Sequence, residues 1–101
     1  SMAFKYLLIS KNICSTFSNG NPDICLVYCY IGDMFLRMNE PVWAIRSFWK
    51  AKTLRENILG GDSLDTATIY NNIGVCLYYL KEFYHSQAFI KLAYEIYKEY
   101  E

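Results

Sequence analysis

Asp65-Thr66-Ala67-Thr68-Ile69-Tyr70-Asn71-Asn72-Ile73-Gly74 is the stretch whose reading decides the fold. Ile69 and Ile73 stand four apart with Leu77 four further on, and Tyr70 and Gly74 repeat that spacing on a neighbouring line. Apolar residues recurring at three and four mark one face of an α-helix. Asp65 is the candidate N-cap, because its carboxylate can accept from the first free backbone amides. A tight turn near Leu80-Lys81-Glu82 then leads into a second helix carrying Phe83, Ser86, Ile90, Ala93 and Ile96.

The same pattern stands 42 residues earlier. Asp23 coincides with Asp65, Tyr28 with Tyr70, Ile31 with Ile73, Gly32 with Gly74, Glu40 with Glu82 and Ala51 with Ala93. Val27 with Ile69, Phe35 with Leu77, Ala44 with Ser86 and Phe48 with Ile90 are close substitutes. The matches fall on positions that pack, as a structural repeat requires. Pro22 precedes the candidate cap Asp23, and Pro41 opens the next helix, where its missing N–H costs little. Gly60-Gly61 is a helix stop, since glycine takes the left-handed conformation freely.

Small residues at Gly32, Gly74, Ala44, Ser86, Ala51 and Ala93 allow two antiparallel helices to cross closely. The large partners Tyr28, Phe48, Tyr70 and Ile90 fill the space beside them. Ahead of Asn19-Gly20-Asn21-Pro22, Phe4, Leu7, Leu8 and Ile13 supply the apolar face of a further helix over residues 3–17. The pattern predicts an all-α chain of antiparallel helix-turn-helix units. Five helices are expected in about two and a half repeats, at 3–17, 23–59 and 65–100, with no strand. The chain reads as a piece of a longer array, with Ser1-Met2 set aside as an expression remnant and start residue.

Bulk properties narrow the function. Ten basic and ten acidic residues give zero formal charge, split as about +2 over residues 1–50 and −2 over 51–101. No basic stripe of the kind nucleic acid or an anionic membrane demands is present, so neither partner is expected. The longest apolar run, Ile24-Cys25-Leu26-Val27-Tyr28-Cys29-Tyr30-Ile31, is far below the roughly 20 residues of a membrane helix. No segment has the form of a signal peptide. Aromatic content is 18%, including ten tyrosines, which suit helix seams and protein-binding grooves. Cys14, Cys25, Cys29 and Cys76 have no partner pair for a zinc site, so reduced structural thiols and a cytosolic setting are expected.

The small-and-large pattern resembles the tetratricopeptide repeat, on Tyr70-Asn71-Asn72-Ile73-Gly74 with Phe83, Ser86 and Ala93, and on Tyr28-Cys29-Tyr30-Ile31-Gly32 with Ala44, Phe48 and Ala51. The common period is 34 residues, whereas this one is 42. The longer variant, with Asp-Thr-Ala-Thr before Asn-Asn-Ile-Gly, is similar to the repeats of kinesin light chains. The resemblance implies a short right-handed α-solenoid whose function is to hold a partner protein. Pro41 stands where the family has an aromatic, which predicts a less regular turn.

By the same resemblance, the first helix of each pair lines a concave groove. Its candidate peptide-binding residues are Leu26, Cys29, Tyr30, Asp33 and Leu36 in one unit and Thr68, Asn71, Asn72, Val75 and Tyr79 in the other. Asn71 and Asn72 are the sharpest of these. Asparagine is a mediocre helix former, and its carboxamide both donates and accepts, as an extended peptide backbone requires. The alternative is a solvated polar pair, or one asparagine bonding across the seam between repeats. No cation stands at these positions, which argues against capture of a chain-terminal carboxylate.

Trp43 and Trp49, six apart, point in different directions, one into inter-repeat packing and the other into a contact surface or ordinary packing. His85 is the only histidine and reads as a solvent-facing residue. No phosphate loop, metal motif or nucleophile elbow occurs, so neither enzyme activity nor a cofactor is expected. The first reading is a protein-binding module of a larger cytoplasmic scaffold or transport adaptor. The second is a structural spacer or a homo-oligomer contact. An active site elsewhere in a parent protein is a third. Phe89, Leu92, Ile96 and Tyr97, with no polar helix after them, predict a homodimer through the terminal helices.

Overall fold

A computed structural model describes residues 22–59 and 63–100. Within them lie four α-helices and no strand: α1 Pro22–Arg37, α2 Pro41–Leu59, α3 Leu64–Tyr79 and α4 Phe83–Glu99. The fifth helix expected over 3–17 lies outside the described residues, as do Gly60 and Gly61. α1 packs on α2, α3 on α4, and α2 joins the two hairpins by packing on α3.

The two hairpin turns are copies of each other. Glu40 N–H donates to the Phe35 carbonyl at 2.8 Å, and Glu82 N–H to the Leu77 carbonyl at 2.8 Å. One step inward, Asn39 donates to Leu36 at 3.0 Å and Lys81 to Tyr78 at 3.0 Å. This pair of bonds closes a helix through one residue in the left-handed region, and that residue is Asn39 (φ 61°) in one turn and Lys81 (φ 64°) in the other. The turn before Pro41 is therefore as regular as its counterpart, contrary to expectation. Its bonds come from backbone groups upstream of the proline, and at the first helical position Pro41 forfeits nothing.

The start of α3 corrects a second expectation. Ser63 is its N-cap, with Oγ accepting from the Thr66 N–H at 3.2 Å. Asp65 lies in the first turn, where its charge still favours the helix N-terminus, and its side chain reaches sideways to Arg55 of α2 at 3.3 Å. Ser63 is better placed because a cap must precede the first helical residue. α1 likewise begins at Pro22, which puts Asp23 in its first turn and not before it.

Close helix crossing organises the core. All six small residues singled out above are buried. A Cβ on Gly32 would stand 2.7 Å from the Phe48 ring, and one on Gly74 would stand 2.6 Å from Ile90 and 3.2 Å from the Ser86 carbonyl. At the second crossing the Ser86 hydroxyl donates to the Gly74 carbonyl at 2.7 Å, so a serine sits there without an unpaired polar group. The main cluster runs through three helices, with Ile31 and Phe35 of α1, Ala44, Phe48 and Ala51 of α2, and Ile69, Ile73 and Cys76 of α3. A smaller cluster joins Ala67 and Tyr70 to Ala93 and Ile96.

α4 is covered on one side only. Ser86, Ala93 and Ile96 are buried, whereas Phe83 and Ile90, expected inside, are 54% and 40% exposed. Conversely, Ile96 and half-buried Phe89 face inward and are not part of an exposed terminal face. Phe83 instead meets the Tyr78 ring edge-on at 5.4 Å.

Gly74→Leu is expected to destabilise the fold by about 1–3 kcal/mol or more, because the added side chain drives α3 and α4 apart. A thermal melt checks it, with a surface substitution such as Gln87→Leu as the control.

Candidate functional site

The groove candidates divide into two stripes and two flanks. On α1, Leu26, Tyr30, Asp33 and Arg37 follow one another at three and four and are all exposed. On α3, Thr68, Asn72, Val75 and Tyr79 occupy the positions 42 residues later; Thr68 and Tyr79 are exposed, and Asn72 and Val75 half-buried. Residues at this spacing share one helix face. The stripes are thus the same face of two equivalent helices. Cys29 and Leu36 lie beside the first stripe and pack against the cluster shared with α2 and α3. Their equivalents on α3, Asn71 and Tyr78, occupy the corresponding flank.

Arg37, unremarked in the sequence, belongs to the first stripe and pairs with Asp33 at 3.1 Å, with both side chains largely exposed. Its equivalence with Tyr79 was the available signal. A second cation comes from below. Arg55 of α2 is mostly buried, bonds Asp65 of α3, and lies close enough to Cys25 and Cys29 of α1 to act on both thiols. Its Nε is buried without a hydrogen-bond partner. Spacing along α1 and α3 could not reveal it, because it reaches this region from another helix.

Polar groups on the stripes differ in how far they are engaged. The Thr68 hydroxyl donates to the Leu64 carbonyl at 3.1 Å and shares a 3.1 Å bond with the Tyr97 hydroxyl of α4. Neither the Asn71 nor the Asn72 carboxamide has a hydrogen-bond partner among the described residues. The seam bond considered for one of them is therefore not made to α1, α2 or α4. Tyr79 meets Tyr78 edge-on at 6.0 Å.

Polar and aromatic contacts fasten α2 to α3 and α4. Tyr70 donates its hydroxyl to the Glu56 carboxylate at 2.7 Å, and Lys52 donates to the same carboxylate at 2.9 Å. Burial pushes the Glu56 carboxyl up, but the hydrogen bonds from Lys52 and Tyr70 outweigh it and hold the group below its ordinary value. Trp49 stands edge-on to Phe89 at 5.7 Å, with the Lys52 ammonium 4.6 Å over its ring. Trp49 is thus the tryptophan of the inter-repeat seam. Trp43 stacks on Phe35 at 6.1 Å and stays 47% exposed beneath the Arg46 guanidinium.

The three thiols among the described residues are all held protonated by burial. Burial pushes Cys29 up to about 11 and Cys76 up to about 12, and it raises Cys25 as well. At neutral pH all three are protonated and poor nucleophiles. No cluster of three metal-ligating side chains occurs among the described residues, and no helix among them is long and apolar enough to cross a membrane. His85 is exposed, with Nδ1 3.6 Å from Glu82.

Two comparisons bear on this arrangement. Residues 23–99 match the family model of the tetratricopeptide repeat. No curated protein matches the chain.

Because the folded state holds Glu56 below its ordinary value, this carboxylate stabilises the fold above that value, and the contribution is lost as acid protonates it. Thermal midpoints followed from neutral pH down through the carboxylate range are expected to fall, and to fall less in Glu56→Gln.

Proposed function

The chain belongs to the tetratricopeptide repeat family, and we propose that it holds a segment of a partner protein along the two parallel stripes of α1 and α3. Repeats of this family generally mediate protein–protein interaction and are generally not enzymes. The observation carrying the proposal is the register of Leu26, Tyr30, Asp33 and Arg37 with Thr68, Asn72, Val75 and Tyr79, exposed or half-exposed on equivalent faces. Hydrogen-bonding groups alternate there with aromatic and aliphatic surface, and the half-buried Asn72 carboxamide has its bonding capacity unspent among the described residues. In this reading Asn72 grips the partner's backbone, while Tyr30 and Tyr79 cover its side chains. Asn71 and Cys29 border the groove, with Cys29 already packed against the buried cluster.

The 42-residue period and its resemblance to kinesin light chain repeats favour a cytoplasmic scaffold or transport adaptor, with the units wound as a right-handed solenoid. Formal neutrality favours a protein partner over nucleic acid. Asn72→Ala, introduced into the whole repeat array, is expected to weaken partner capture at least tenfold in a quantitative pull-down, about the 1.4 kcal/mol of one hydrogen bond to a well-fitted site. Asn71→Ala should weaken it less. Unchanged capture by both variants, with the fold intact by circular dichroism, would overturn the groove assignment.

One observation favours a second reading, a homo-oligomeric contact. Ile90, Tyr94 and Tyr97, on one face of α4, are 37–59% exposed, and an apolar surface of this kind tends to find a partner. Sedimentation of the isolated chain at micromolar concentration should then show a concentration-dependent dimer. A monomer at every concentration sinks this reading.

A further inference from the structure

The ion pairs within α1 and α2 join opposite charges four residues apart, Asp33 with Arg37 at 3.1 Å and Lys52 with Glu56 at 2.9 Å. Arg46 and Lys50 of α2 have the same spacing but the same sign, and both are exposed. Like charges so placed on a helix repel each other. Among the described residues neither cation is in an ion pair. Each lies over an aromatic ring instead, the Arg46 guanidinium 5.1 Å from Trp43 and the Lys50 ammonium 5.6 Å from Tyr28. Contact with the face of a ring uses no hydrogen-bond donor, so both groups keep donors for an anion. Forty-two residues later stand Ala88 and Leu92. The cation pair is therefore no part of the pattern that packs the repeat.

Trp43, Arg46 and Lys50 follow one another at three and four, which puts them on one flank of α2. With Tyr28 and Phe35 of α1 they line a cleft of about 530 Å³ that continues past Arg46 to Trp49. Its apolar part is Phe35, which is buried, and Trp43 stacked on it at 6.1 Å. Cations beside an apolar cleft call for carboxylates beside apolar side chains. Residues 1–22 contain neither aspartate nor glutamate, so they hold no such countercharge. The spacing says what form the occupant takes. Four residues of helix separate the two cations by about 6 Å, and an extended chain brings every second side chain to one side at about 6.6 Å. Two carboxylates two residues apart thus reach both cations, with an apolar side chain beyond them on Phe35 and Trp43. Two cations are too few to track a phosphate backbone, and the chain has zero formal charge, which favours a peptide over nucleic acid.

We propose that this flank of the first hairpin is a second interaction surface, which takes an extended acidic segment of a partner protein. Its carboxylates bridge Arg46 and Lys50 and relieve their repulsion, and its apolar side chains enter the cleft. The surface shares no residue with the stripes of α1 and α3, so the inference is independent of what they bind.

Fluorescence polarisation of a labelled, end-blocked peptide with the full chain tests it. The probe is Leu-Ser-Glu-Ser-Glu-Ser-Leu, which carries two glutamates and two leucines on one side when extended. It is expected to bind saturably, more weakly as salt is added, and at least tenfold more tightly than the same peptide with glutamine for both glutamates. Arg46→Gln and Lys50→Gln should each weaken binding at least threefold, and the double variant at least tenfold. Lys98→Gln, a cation elsewhere on the surface, should leave it unchanged, as should Asn72→Ala on the stripes. Both side chains are exposed, so Arg46→Gln and Lys50→Gln should keep the parent's thermal midpoint. No saturable binding, equal binding of the glutamate and glutamine peptides, or full binding by the double variant would overturn the proposal. Tighter binding of a thymidine oligonucleotide than of the acidic peptide would also overturn it, and would assign the surface to nucleic acid.

Discussion

The approach of the two backbones at Gly32 and at Gly74 is the constraint from which the rest of the structure follows. With no side chain on the glycine, the Phe48 ring and the Ile90 side chain lie where a Cβ would otherwise be. Each hairpin can then close with Ala44 and Ala51, or Ser86 and Ala93, buried at the interface. A wider crossing would leave those small residues facing a void, and an unfilled core position is costly because interiors are close-packed. The crossing also fixes the rotation of each first helix. Once Gly32 and Ile31 face inward, Leu26, Tyr30, Asp33 and Arg37 must face outward, and the same holds for α3.

Two different devices hold the hairpins to each other. Between α1, α2 and α3 the join is apolar, through Ile31, Phe48, Ile69 and Ile73. At its edge it is polar, through the Glu56 carboxylate shared by Tyr70 and Lys52 and the Arg55–Asp65 pair. The apolar part supplies most of the stabilisation, since exposed and half-exposed ion pairs contribute little. The polar part is directional and sets how far along α2 the second hairpin sits. It thereby sets the offset between the two stripes.

The surface of α4 shows what happens where such a neighbour is lacking among the described residues. Ile90 packs on Gly74 from within its hairpin and still keeps 40% of its surface exposed, and Leu92 and Tyr94 are more exposed again. Their counterparts on α2 fare variously: Phe48 is fully buried, while Lys50 and Lys52 keep contact with aromatic rings. Burial in a repeat is thus a property of position in the stack as much as of residue type.

The amino-acid sequence by itself determined the helical class, the 42-residue unit, the turn positions and the inward set of small residues. All of these rest on local spacing, and spacing along a helix is a property of the chain alone. Tertiary structure decided the rest. Ser63 and not Asp65 caps α3, because the choice depends on where the first helical turn closes, and Asp65 is drawn to Arg55 from another helix. The turn before Pro41 is regular because its bonds are made by upstream backbone groups. Cys29 and Leu36 pack against the buried cluster of three helices, and Arg55 of α2 reaches Asp65 of α3, because both outcomes depend on the angle at which α2 lies between α1 and α3. No spacing within one helix encodes that angle; it is set where side chains from three helices meet.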